Sequence, residues 1–275
     1  MIASPAPTPS PSPAPSPSPT STSTNLAGAQ AGDTLQFTSA CSPAAPVYQN
    51  GAITGLQTIE PAALQPSSTA RYLGGPERID AFGGTFYRAD NGTWFDRFQT
   101  LDDFTLNVAR RTASASPEVT FGYTDRTSLC FFAGGLPVNT SSALQVGYTG
   151  TVDGLMQTSS ATLRLFSSDA SATFQTTQAK GTVTLTLSGY TAPFVDQTAP
   201  DRVDIGTVTA ELAVNGSQVT ATTISGLPGY TGTMSGEIVG QRAMALAFQL
   251  HAADGSVVWG IVALDNESCQ GCWDY

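Results

Sequence analysis

Lysine and histidine are almost missing from this chain: Lys180 and His251 are the only ones in 275 residues. Charged residues make up 12% of the sequence, half of the roughly 25% usual in globular proteins. Surface helices need charged, wet faces, so this scarcity argues against a helical protein before any periodicity is read. Thr, Ser and Gly fill the vacated positions. Thr packs well on a pleated surface through its branched Cβ, and Ser and Gly serve turns. The formal net charge is −10 and the sequence pI about 4.3. No basic stripe is present to neutralise phosphates, which excludes nucleic acid as an expected partner. An anionic membrane surface would repel the chain. The acidity reads first as a solubility device, and a basic protein partner is the sharper alternative. No stretch reaches the eighteen or more apolar residues of a membrane helix. The opening Met1-Ile2-Ala3-Ser4-Pro5 lacks both the positive and the apolar region of a signal peptide. Because everything after it reads as exported, the expectation is a start further upstream, with a signal and a lipid-anchored cysteine.

The motifs of catalysis are scarce as well. A Ser–His–Asp triad would have to use His251, and no Gly-x-Ser-x-Gly elbow is present to hold the serine. His251 ends an apolar run before a turn, where an exposed histidine is the plainer reading. A closed zinc site finds no suitable ligand spacing. Asp102, Asp103, Asp125, Asp153, Asp196, Asp201, Asp204, Glu211 and Glu237 could include a glycosidase pair, but they read as scattered turn carboxylates. No enzyme and no cofactor is expected.

What is present is a tether followed by strands. Residues 1–24 alternate Pro with Ser, Thr and Ala. Proline lacks a backbone donor and biases its predecessor to extended geometry, so this segment reads as a semi-stiff polyproline spacer. The expected boundaries are a disordered Pro/Ser/Thr-rich tether over 1–32, an N-terminal β subdomain over 33–140, a β-barrel over 141–265 and a cysteine-containing tail over 266–275. From Asp33 onward short runs alternate with period two. Asn91-Gly92 between apolar runs marks a hairpin, because both residues tolerate positive φ. Over 181–187, Val183, Leu185 and Leu187 face one way and Thr182, Thr184 and Thr186 the other. Over 243–250, Met244, Leu246, Phe248 and Leu250 form a bulky face opposite Ala243, Ala245 and Ala247. About eight such strands predict an all-β fold: an antiparallel eight-stranded up-and-down barrel behind a small handle-like N-terminal subdomain. A two-sheet sandwich shares much of this pattern, and an outer-membrane barrel would need aromatic girdles that are not apparent.

Several stretches carry a family resemblance. Gly147-Tyr148-Thr149-Gly150-Thr151-Val152-Asp153-Gly154 resembles the opening barrel strand of the transferrin-binding protein B family. Ser160-Ala161-Thr162-Leu163-Arg164-Leu165-Phe166 resembles its second strand. Gly229 to Gly236 with Val239 to Phe248 is similar to its late hairpin, and Val257-Val258-Trp259-Gly260-Ile261-Val262 to its closing strand. Phe121-Gly122-Tyr123 through Phe131-Phe132-Ala133-Gly134-Gly135-Leu136-Pro137 looks like the lead-in of small lipoprotein relatives. The resemblance covers roughly 119–264. The chain departs from the family at Gly240-Gln241-Arg242-Ala243, where Gly-Pro is usual, and at Ala245-Leu246-Ala247, which replaces paired glycines.

The resemblance implies a lipoprotein-like binding protein on the bacterial cell surface, at the outer membrane. Its ligand would be a protein or a haem-type, iron-related molecule. It carries over no transferrin-contacting residue. A structural, self-assembling surface protein is the alternative, and a β-scaffold carbohydrate-active enzyme a more distant one. Contacts are expected on the long connection 189–205, whose candidates are Tyr190, Phe194, Asp196, Asp201 and Asp204, and on the hairpin around Asn91. Cys41, Cys130, Cys269 and Cys272 are disulfide candidates in an exported chain. Either Cys41 pairs with Cys130 and Cys269 with Cys272, or the two sets cross.

Overall fold

The computed structural model describes residues 30, 32–49, 52–72, 78–81, 84–89, 97–99, 105–107, 119–124, 128–138, 145–165, 168–191 and 202–266. The described regular structure is nearly all β strand, with a single 3-10 turn over Thr176–Gln178. Among these residues no helix is long and apolar enough to cross a membrane. The N-terminal strands are β1 (Thr34–Cys41), β2 (Pro46–Gln49), β3 (Ala52–Leu56), β4 (Ala63–Tyr72), β5 (Arg78–Ala81), β6 (Gly84–Ala89), β7 (Arg97–Gln99), β8 (Thr105–Asn107), β9 (Thr120–Thr124) and β10 (Cys130–Gly135). The C-terminal strands are β11 (Gly147–Gln157), β12 (Thr162–Arg164), β13 (Ser168–Gln175), β14 (Lys180–Thr191), β15 (Arg202–Asn215), β16 (Gln218–Ser225), β17 (Tyr230–Val239), β18 (Ala243–Ala252) and β19 (Val257–Asp265).

The C-terminal strands form the expected up-and-down barrel. Each pairs antiparallel with its sequence neighbour from β13 to β19, and β19 returns to β11 through nine register pairs, from Thr149↔Asp265 to Gln157↔Val257. Strands β12 and β13 share one place in the wall. Both lie against β11 and β14, β12 beside Leu155–Gln157 and β13 beside Gly147–Val152. Together they make one stave of the wall, which therefore has eight. The sequence reading found only the first half of that stave. Ser168–Gln175 alternates cleanly between buried and exposed, but with small side chains that give a weak apolar signal.

The alternation of β14 is as the sequence predicts: Val183, Leu185 and Leu187 are buried, while Thr182 and Thr186 are exposed. The barrel interior is filled by side chains from every stave, among them Val152, Phe174, Val208, Met234, Phe248 and Val262. A ring of eight strands is narrow enough for its own side chains to fill.

The N-terminal strands go further than a small handle. β4 through β10 run as a meander and β1 closes the ring between β10 and β4. The side hairpin β2–β3 stands outside it. Several of these strands are only three to six residues long, too short to announce a barrel from alternation. β1 and β10 are joined covalently by the disulfide Cys41–Cys130, which links residues 89 apart in sequence at directly opposed register positions. Cys269, Cys272 and the hairpin around Asn91 lie outside the described residues.

The two rings pack side by side. Ala243, Ala245 and Ala247 on β18, Val257, Trp259, Ile261 and Ala263 on β19, and Leu155 on β11 point away from the barrel interior. They are buried against Ala40, Leu129, Phe131 and Ala133 of the first ring. The small face of β18, read in sequence only as the opposite of the bulky one, is thus an interface. Small residues there let two sheets approach closely.

Candidate binding rim and the seam beneath it

One end of the C-terminal barrel collects the turns Thr158–Ala161, 226–229 and 253–256, and the ends of β14 and β15. This follows from the up-and-down order, which sends every second connection to the same end. At the turn between β11 and β12, the Thr158 hydroxyl accepts the amides of Ser160 and Ala161. At the turn before β19, the Asp254 carboxylate accepts the Ser256 amide at 2.9 Å. That bond holds the Asp254 carboxyl below its ordinary range. The 226–229 connection has positive φ at Gly226 and Gly229, at 106° and 80°. A side chain on Gly226 would also strike the Thr207 carbonyl, its Cβ falling 2.6 Å from that oxygen, so glycine is required there on both counts.

The barrel wall is weakest beside this tip. β16 and β17 pair only over Gln218–Thr220 and Ser235–Glu237. Beyond Thr220 the ladder between them stops, where a register shift in the β15–β16 pairing leaves Thr222 as the extra residue. Such a bulge bends its strand and ends local pairing. Ala221, Ile224, Leu227 and Tyr230 are half-buried there and pack against the interior.

The sequence candidates fall partly on this rim. Tyr190, at the end of β14, is half-buried, and Asp204, in β15, is exposed. Arg202 meets Asp204 at 3.6 Å with both side chains largely in water, a contact worth little. Phe194, Asp196 and Asp201 lie outside the described residues. His251 is exposed, as expected of a strand end, with Nε2 3.3 Å from the Thr231 hydroxyl. Among the described residues no three His, Cys, Asp or Glu side chains gather as a metal site.

Below the rim, register carries one row of side chains from solvent into the seam. Arg202, Tyr190, Arg164, Leu155, Trp259 and Gln249 oppose one another in turn across β15, β14, β12, β11, β19 and β18. Directly opposed residues share a face, so the rim and the interface are continuous. Within the seam Arg164 grips Asp153 through Nε at 2.7 Å and Nη2 at 2.6 Å. Its guanidinium lies 4.6 Å from the centroid of Phe131 of the first ring. Phe131 in turn meets Trp259 edge-on at 5.2 Å. Burial raises the Asp153 carboxyl above its ordinary range, and Arg164 pulls it back down by less.

Asp153 and Glu237 thus correct the sequence reading. The sequence reads both as turn carboxylates, yet both sit within strands and are buried, at 0% and 4% exposure. The missed signal was the run Val257-Val258-Trp259-Gly260-Ile261-Val262-Ala263-Leu264, apolar at every position. A strand apolar on both faces is covered on both faces.

No family model matches the chain, and no curated protein matches it. Solved structures are similar. One is transferrin binding protein B of Haemophilus parasuis Hp5, a vaccine antigen, at 11% identity and a TM-score of 0.47, covering 74% of this chain and 46% of that one. Another is isotype 1 transferrin binding protein B of serogroup B Neisseria meningitidis, at 12% identity and a TM-score of 0.45, covering 84% of this chain and 43% of that one. The chain therefore spans less than half the length of either solved chain.

Proposed function

We propose that this chain is a non-catalytic binding protein, held at the bacterial surface by its Pro/Ser-rich segment and a lipid anchor upstream of it. In this reading the ligand is a protein or an iron-related molecule such as haem. It is contacted by the rim of the C-terminal barrel, with Tyr190, Asp204 and Tyr230 as the first contacts. The observation that carries the reading is the division of labour around the barrel wall. The outer faces of β17, β18, β19 and β11 are occupied by the first ring, whereas the rim presents turns, an interrupted ladder and half-buried aromatic residues. Loops on a rigid scaffold are where binding residues concentrate. The acidic, lysine-poor composition fits a protein partner rather than nucleic acid.

The test uses transferrin and haemin as separate probes, by titration calorimetry and surface binding. Binding of either probe that falls at least tenfold in the Tyr190→Ala, Asp204→Asn double variant, with an unchanged thermal transition, supports the reading. Absence of binding to both probes, or binding indifferent to the rim variants, overturns it.

A further inference from the structure

The seam between the rings holds a carboxylate with too few partners. Glu237 lies in β17 on the face turned toward the first ring and is 4% exposed. The hydroxyl of Ser67, in β4 of the first ring, donates to it. Its Oε2 has no hydrogen-bond partner among the described residues. Its ladder neighbours are Gln218 on β16 and Ala245 on β18, both uncharged. Around it, β1, β10 and β16 contain no charged side chain. β4 contributes Arg71, exposed at the strand's end, and β18 contributes His251, exposed and in contact with Thr231. Arg242 stands in the turn that follows β17. None of these forms an ion pair with Glu237.

A buried carboxylate without a cation is costly when ionised and cheap when protonated. We infer that Glu237 makes the contact between the two rings pH-dependent: protonated it lets the seam stay shut, and ionised it favours local opening. Burial pushes the Glu237 carboxyl above its ordinary range, and the Ser67 hydroxyl offsets only part of this. A carboxyl raised in the closed state binds protons more tightly there than in the open one. Its contribution to closure is full below the ordinary carboxylate pKa and is lost as pH rises through the raised value. Each unit of difference changes the opening equilibrium about tenfold.

Asp153, the other buried seam carboxylate, plays a different part. It has the Arg164 guanidinium beside it, so neutralising it leaves a buried cation at every pH. The device is therefore specific to Glu237, and it is independent of which ligand the rim takes.

Ala245, opposite Glu237 and 1% exposed, supplies the probe position. The Ala245→Cys protein is labelled with dipyridyl disulfide between pH 4.5 and 8, with site-resolved mass spectrometry. Rates are normalised to the same protein in denaturant, which removes the intrinsic pH dependence of the thiol. The expected result is a normalised rate at least tenfold higher at pH 8 than at pH 4.5, and a flat, slow profile when Glu237→Gln is added. Equal pH profiles with and without Glu237→Gln, or a flat profile in the parent, would overturn the inference. If Ala245→Cys fails to fold, thermal unfolding replaces labelling. The Tm gain from Glu237→Gln should then be larger at pH 8 than at pH 4.5, and a pH-independent gain would count against the inference in the same way.

Discussion

Arg164 holds both carboxylate oxygens of Asp153, and the two side chains are only 9% and 1% exposed. The pair belongs to β11 and β12 of one ring, but its cover is Phe131 of the other. Water is excluded from the pair only while the rings are in contact. A shifted seam would leave the two partners together and change only their cover, so the pair is linked to docking through Phe131 over the guanidinium.

Breaking this pair from one side should cost more than removing it. Arg164→Met strands Asp153 and should destabilise the chain by about 3–5 kcal/mol. The double variant Asp153→Leu, Arg164→Met should recover most of that loss. Chemical denaturation of the two single variants and the double one measures the coupling. Additive losses would mean that the pair does not act as a unit.

Gly260 faces Gly154 across the β11–β19 ladder and Phe248 across the β18–β19 ladder. A Cβ on Gly260 would lie 2.1 Å from the Asp153 carbonyl oxygen and 2.6 Å from the Gly154 Cα. These are backbone atoms and cannot step aside. Gly260→Ala should therefore destabilise by about 1–3 kcal/mol through overpacking, read as a lower denaturation midpoint.

The Cys41–Cys130 disulfide closes the first ring across residues 89 apart. Cross-links over long loops restrict the unfolded chain most. Replacing both cysteines with serine should lower stability by about 2–5 kcal/mol. Non-reducing peptide mapping should recover the two residues in one linked fragment. A Cys41 fragment linked instead to Cys269 or Cys272 would show that the pairing is crossed.

The Asp254 carboxylate is fully exposed, and its bond to the Ser256 amide lowers its pKa. A depressed carboxyl supports the turn above its ordinary pKa, and that support fades as pH falls through the depressed value. The Ser256 amide resonance should therefore shift between pH 5 and 2 with a midpoint below the ordinary aspartate value. In Asp254→Asn the shift should be absent.

Much of the second ring was legible in residues. Val183, Leu185 and Leu187 alternate with threonines, and Met244, Leu246, Phe248 and Leu250 with alanines. Period-two alternation records which face of a strand is dry. Asn215-Gly216 forms the turn between β15 and β16, with φ 63° at Gly216, for an equally local reason. The candidate site was less legible. The sequence reads 189–205 as one long connection, whereas Tyr190 lies in β14 and Asp204 in β15, and the register of Tyr190 with Arg164 was not foreseeable. Register depends on which strands become neighbours, and pairings such as Thr149↔Asp265 join residues from opposite ends of the barrel.

Chemistry local to the chain set strands rather than helices and placed turns at Asn215-Gly216 and Asp254-Gly255. These follow from backbone sterics and side-chain shape within a few residues. Only the three-dimensional pairing decided that the first ring closes from short strands, and that it covers the alanine face of β18. The same contact made buried seam groups of Asp153 and Glu237, which look like surface carboxylates in the sequence. A side chain's charge is written in the chain, but its solvation is set by whatever packs over it.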